Sequence, residues 1–150
     1  MYMKKIIEGT MAPEFTSIDQ DGHTWRLADH RGGFVLLYFY PKDFTPGCTI
    51  EAQEFQKIFD ELKKKVTIIG ISADSVESHK KFCNAHGLEF TLLADPQKEV
   101  TAAYGADGIL LTRRSSFLVD GQGIVRKIYD RVDPKTHASQ ILADVVALGA

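Results

Sequence analysis

The chain has 150 residues, of which 44% are hydrophobic and 25% charged, and its net charge is −2. That length suits one domain, residues 1–150, with a sizeable core, and the near-neutral charge offers no basic face for nucleic acid or an anionic membrane. No segment approaches the ~20 apolar residues of a membrane span, Met1–Ile6 lacks the apolar core of a secretory signal, and Cys48 and Cys83 are too few for a secreted disulfide scaffold.

Glu14–Ile18 and Thr24–Leu27 are short extended pieces around Asp21-Gly22, a hairpin signal. Phe34–Tyr40 is an unbroken apolar run, the pattern of a strand buried on both faces. Pro46 to about Lys64 follows with helical spacing, and Lys63-Lys64-Lys65 reads as its solvated end. Val66–Ser72 is a second buried strand. Ser75–His86 is a helix opened by a capping box of Asp74 and Glu77 and closed by Gly87. Phe90–Ala94 is a strand and Gln97–Tyr104 a brief helix. Ser115–Val119 and Ile124–Tyr129 form a second hairpin, and Pro134–Leu148 is a terminal amphipathic helix. Strand and helix alternate in the middle, which implies parallel pairing, and the end supplies antiparallel strands. The expected fold is α/β: a central mixed β-sheet flanked by helices, with an N-terminal β-hairpin, in a thioredoxin-like layout.

The most informative stretch is Tyr40-Pro41-Lys42-Asp43-Phe44-Thr45-Pro46-Gly47-Cys48. Thr45 suits a helix N-cap and Pro46 the first helical position. Cys48 then falls in the first turn, where free amides and the helix dipole favour an anion, and the thiolate is the reactive form of cysteine. Cys48, Ala52, Phe55, Phe59 and Leu62 share one apolar stripe, whereas Glu51, Gln53, Lys57 and Asp60 fall mostly off it. On pattern alone Cys48 is either a small core residue or a reactive thiol.

Val76, His79, Phe82, Cys83 and His86 line one side of the next helix. Cys83 again reads as a core residue or as a second working thiol. His79, Cys83 and His86 could line a metal-facing surface, but no second cluster of ligands accompanies them, and structural zinc usually needs four. No metal is expected. His23, His30 and His137 are scattered and read as surface residues. Two cysteines buried in separate helices cannot bond without movement, since a disulfide holds its Cα atoms roughly 4.4–6.8 Å apart; pairing them requires local unwinding.

Pro41, Thr45 and Cys48 resemble the active-site motif of peroxiredoxins, and the string from Tyr40 to Ala52 resembles the Q-type, or bacterioferritin-comigratory-protein, subfamily. Ala12-Pro13-Glu14-Phe15, Gly70–Ser75 and Arg114–Asp120 are similar to further family segments. The resemblance implies a thioredoxin-like fold and a thiol peroxidase with no cofactor. It implies Cys48 as the peroxidatic cysteine, Thr45 as a hydroxyl partner of thiolate and peroxide, Pro41 as a shield from water, and Arg114 rather than the adjacent Arg113 as the cation over the thiolate. Many members place a resolving cysteine five residues after the first, where this chain has Gln53. A minority place it in the next helix, and Cys83, 35 positions on, fits that variant.

The implied cycle begins with thiolate attack on a hydroperoxide, which leaves a sulfenic acid on Cys48. Cys83 condenses with it to an intramolecular disulfide, and thioredoxin or a similar dithiol restores both thiols. The expected setting is the cytoplasm, as a monomer or weak homodimer. A one-cysteine enzyme with an external thiol, or a non-enzymatic peroxide sensor, would use the same Cys48. A disulfide oxidoreductase of the Cys-x-x-Cys kind is disfavoured, because Thr45 stands where its first cysteine would be.

Overall fold

The computed structural model describes residues 6–150, so most of the Met1–Ile6 segment lies outside the described residues. β-branched and aromatic runs form the strands, and each helix lays its apolar stripe on the sheet they build. Among the described residues, seven strands make one sheet: β1 (Thr16–Asp19), β2 (Thr24–Arg26), β3 (Phe34–Phe39), β4 (Val66–Ser72), β5 (Thr91–Ala94), β6 (Ser115–Val119) and β7 (Val125–Tyr129). Their order is β2-β1-β5-β4-β3-β6-β7. β3, β4 and β5 pair in parallel, as strands joined by helical crossovers must, and β1–β2 and β6–β7 close the two edges as antiparallel hairpins. The expected mixed sheet and N-terminal hairpin are both present. At the first hairpin Asp19 Oδ1 accepts from the amides of Asp21 and His23, and Gly22 supplies φ 81°.

Alternation along β3 divides the core in two. Leu36, Tyr38 and Tyr40 face α1 (Pro46–Lys57), α3 (Val76–His86) and α5 (His137–Ala147), and both cysteines join them. Val35, Leu37 and Phe39 face Trp25, Leu27 and the short α4 (Glu99–Ala103) with Tyr104 beyond it. Among the described residues, no helix is long and apolar enough to cross a membrane.

Several expected boundaries shift. The helix expected from Pro46 to Lys64 breaks at Ile58, whose φ −112° and ψ 19° leave the helical region, and a short α2 (Phe59–Leu62) follows. α3 opens on Ser75, whose hydroxyl accepts from Ser78 N at 3.1 Å; Asp74 does not form the expected capping box because its carboxylate accepts from Asp43 N and Ser72 Oγ instead. Gly87 closes α3 in the left-handed region at φ 61°, as anticipated.

Candidate active site

Thr45 is the N-cap of α1 with extended backbone (φ −77°, ψ 151°), and Pro46 and Gly47 follow inside the first turn. The Thr45 hydroxyl donates to Lys42 O at 2.7 Å and makes no cap bond, so the amides that open α1 have no side-chain acceptor. Cys48 sits at this end of the helix, 2% exposed, with its sulfur turned into the core. Arg114 reaches it from the start of β6: Nη2 donates to Cys48 Sγ at 3.4 Å, and Nη1 donates to Glu51 Oε1 at 2.7 Å. Arg113 faces elsewhere, donating to Gly105 O and lying 4.0 Å from Asp130. Pro41 is half-buried in the β3–α1 loop.

Glu51 is the residue that sequence reasoning passed over. It lies off the apolar stripe, yet it is 1% exposed, one turn below Cys48. Burial pushes its carboxyl up to about 7, and Arg114 opposes that rise. Its Oε2 has no hydrogen-bond partner among the described residues. A guanidinium shared between a carboxyl group and a thiol is held in one orientation by the first and offers its second N–H to the sulfur. The one signal in the sequence was its position three residues after Cys48, at the border of the apolar stripe. Only a cation from another element makes burial of a carboxyl group there tolerable.

Cys83 is also free and buried, in the same core cluster as Cys48. Burial pushes its thiol up to about 12, and the charges of Asp43 and Asp21 add to this against Lys80. Tyr38 lies fully buried beneath both cysteine helices, its ring stacked on Phe55 with centroids 4.8 Å apart. Burial, then the neighbouring Glu51, Cys48 and Cys83, raise its hydroxyl well above the ordinary range. Gln53 approaches His86 between α1 and α3, with Nε2 3.4 Å from Nδ1.

The histidines depart from expectation. His137, read as a surface residue, is wholly buried at the start of α5, with Nε2 2.8 Å from Ser116 Oγ and Nδ1 3.2 Å from Gln140 Oε1. Burial lowers it to about 4, so the ring is held neutral. His30 is half-buried and stacks on Trp25, and His23 is exposed as expected. His79, Cys83 and His86 do not converge on a common point of ligation. His79 turns instead to Asp43 and Asp74, whose ligand-type atoms lie within 4.8 Å of one another and of its ring, already engaged in hydrogen bonds.

The AhpC/TSA family model matches residues 9–128. This chain belongs to that family. Within it the resemblance is to the Q branch. A Helicobacter pylori peroxiredoxin named bcp is 38% identical over 93% of this chain and 98% of its own length. A chloroplastic peroxiredoxin Q of Triticum aestivum is 39% identical over 92% of this chain and 66% of its own. The solved bacterioferritin comigratory protein of Xanthomonas campestris, described by its alkyl peroxide reduction activity, superposes with a TM-score of 0.86 at 30% identity, covering 91% of this chain and 92% of that one. The sheet order and flanking helices are those of a thioredoxin-like peroxiredoxin. The peroxiredoxin is therefore a thiol-dependent peroxidase: its substrate is a peroxide and its reductant a thiol.

Proposed function

We propose that Cys48 is the peroxidatic cysteine and Cys83 its resolving partner, in a single domain that spans residues 1–150. The observation that carries the first assignment is the Arg114 guanidinium 3.4 Å from Cys48 Sγ, at the open N-terminus of α1. Both features stabilise negative charge where thiolate and leaving oxygen would share it. The Cys48 thiolate attacks the terminal oxygen of a hydroperoxide. The S–O bond forms as the O–O bond breaks, and the leaving alkoxide or hydroxide takes a proton to become alcohol or water. Arg114 orients the peroxide, Glu51 holds Arg114, and Pro41 keeps bulk water from the loop. Thr45 sits one turn before Cys48, and rotation of its hydroxyl away from Lys42 O would point a donor at the thiolate and the peroxide.

The Cys48 sulfenic acid is resolved by Cys83. The S–S bond forms, the S–O bond breaks, and the hydroxyl leaves as water with the Cys83 proton. Thioredoxin or a similar dithiol reduces the disulfide by exchange. The substrates include alkyl hydroperoxides as well as hydrogen peroxide, a reading supported by the activity attributed to the Xanthomonas relative. The setting is the cytoplasm, where two free thiols stay reduced, and the working form is a monomer or weak homodimer that engages neither nucleic acid nor membrane.

Intact-mass measurement after one equivalent of hydroperoxide, with thiol trapping, tests this cycle. It should find a Cys48–Cys83 disulfide. Cys48→Ser should abolish peroxide consumption. Cys83→Ser should consume a single equivalent, leave a trappable sulfenic acid and stall under thioredoxin. Sustained turnover by Cys83→Ser with thioredoxin would instead establish the one-cysteine route, and single oxidation followed by transfer to a protein thiol would mark a sensor.

A further inference from the structure

The β3–α1 loop that precedes Cys48 is bound to the helix that carries Cys83 by a buried polar cluster which the chemistry above does not use. Asp43 is its hub, 3% exposed between Pro41 and Thr45. Its Oδ1 accepts from Tyr40 Oη at 2.6 Å. Its Oδ2 accepts from Ser78 Oγ at 2.9 Å and lies 2.7 Å from His79 Nδ1, both on α3. The other ring nitrogen of His79 meets Leu93 O at 3.1 Å, and a carbonyl can only accept, so Nε2 carries a proton. Asp43 N donates to Asp74 Oδ2 at 2.9 Å, just before α3 begins. Phe44 closes the strap from outside: it sits at φ 65°, unusual for a bulky residue, with its ring edge-on to Phe82 at 5.1 Å. Phe82 is the neighbour of Cys83, and His79 lies one helical turn before it.

This arrangement pins the loop before Cys48 to the helix of Cys83, and a disulfide between the two buried thiols calls for local unwinding there. We infer that the Asp43–Ser78–His79 cluster is a latch, with His79 its positioning residue, that sets how fast Cys83 reaches oxidised Cys48 without changing how fast Cys48 meets peroxide. The inference rests on the assignment of Cys83 as resolver. Closed, the latch keeps Cys83 buried beside a carboxylate that opposes its ionisation. Open, it exposes Asp43 to water and frees α3 to unwind around Cys83. While the latch holds, a second peroxide competes for the sulfenic acid: a further oxygen passes to sulfur, a sulfinic acid forms, and the peroxide leaves as alcohol or water. Latch strength would therefore divide the sulfenic acid between disulfide and sulfinic acid.

Two variants separate this from a merely structural role. His79→Asn removes the ring. Ser78→Ala removes one donor from a half-buried helical position and is compatible with the fold. Reduced protein is mixed with one equivalent of hydrogen peroxide and quenched in acid at intervals; residual peroxide reports the first step, and thiol alkylation with intact mass reports the disulfide. Losing a hydrogen bond to a buried carboxylate should speed disulfide formation at least about tenfold in His79→Asn and about threefold in Ser78→Ala. Peroxide consumption should stay within about twofold of the parent, since neither side chain touches sulfur or peroxide. In excess peroxide the sulfinic fraction should fall in the same order. Folded variants that form the disulfide no faster than the parent overturn the latch, and Ser78→Ala decides alone if His79→Asn does not fold. A parent that forms no Cys48–Cys83 disulfide removes the resolving role and the latch together; a parent that forms it while both variants keep its rate removes the latch only.

Discussion

Gly47 stands inside the first turn of α1, directly under the Arg114 guanidinium. A Cβ built on it would lie 3.0 Å from Arg114 Nη2, 3.7 Å from Cζ and 3.8 Å from Pro134 Cγ. The first of these is too short for an ordinary contact, so Gly47→Ala should push the guanidinium away by a few tenths of an ångström. The bond at stake, from Nη2 to Cys48 Sγ, is already 3.4 Å long and has little length to spare. A hydrogen bond to a charged group contributes about 1.5–3 kcal/mol, and losing about half of that slows a reaction by about 3–12-fold. The backbone has no objection to alanine, and a helical glycine replaced by alanine gains about 0.5–1 kcal/mol. Peroxide reduction should therefore fall by about 3–12-fold while the melting temperature holds or rises. Stopped-flow consumption of hydrogen peroxide by the pre-reduced protein, beside a thermal melt, measures both. A rate within about twofold of the parent would refute the reasoning, because the guanidinium would then tolerate displacement. A rate that falls together with stability would refute it too, because the added methyl would then be disturbing the helix rather than the arginine.

Three further outcomes are expected. Arg114→Ala should slow peroxide reduction by about 10²–10³-fold, as losing a charge-stabilising donor does, whereas Arg113→Ala should stay within about twofold; stopped-flow rates on the two variants decide between the adjacent arginines. His137 is held near 4 in the folded chain against 6.5 for the free residue, so the unfolded state binds the proton first as pH falls. The stability tied to its neutral ring is complete above the free value and is lost as pH falls through the folded one, by about 2–3 kcal/mol between about pH 7.5 and pH 4.5. Urea unfolding at the two pH values should show, on going to the lower pH, a change less favourable by that amount in the parent than in His137→Gln, and equal changes in the two would exclude His137 as the source. Glu51 slopes the other way, because its carboxyl is raised to about 7: its burial costs least while it is protonated, and stability is lost as pH rises through that value. Relative to the parent, Glu51→Gln should therefore gain stability as pH rises from about 5 to about 8, read by the same urea series.

Much of this protein was legible along the chain. Phe34–Tyr40 and Val66–Ser72 have no polar face, so they had to be central strands, and the helices between them had to join them in parallel. Thr45-Pro46-Gly47 places Cys48 in a first turn through local stereochemistry alone, and Gly87 ends α3 for the same kind of reason. These features depend on residues a few positions apart, where spacing is itself a statement about space. The move of the α3 cap from Asp74 to Ser75 was not legible, because a tertiary partner competes with a local one: Asp74 gives its carboxylate to Asp43 N and Ser72 rather than to its own helix.

The polar interior was decided by tertiary structure only. Glu51 and Arg114 lie 63 positions apart, Asp43 and His79 36, and His137 and Ser116 21. Each is a group whose burial is costly until a partner arrives from another element. The sequence places His79 on the apolar side of its helix but gives no such sign for Glu51, Asp43 or His137. The sheet order brings β6 beside β3 and α3 against the β3–α1 loop, and with that the partners come within hydrogen-bond distance. Hydrophobic periodicity determined which face each helix turns inward; only the assembled sheet determined which charges could follow it there.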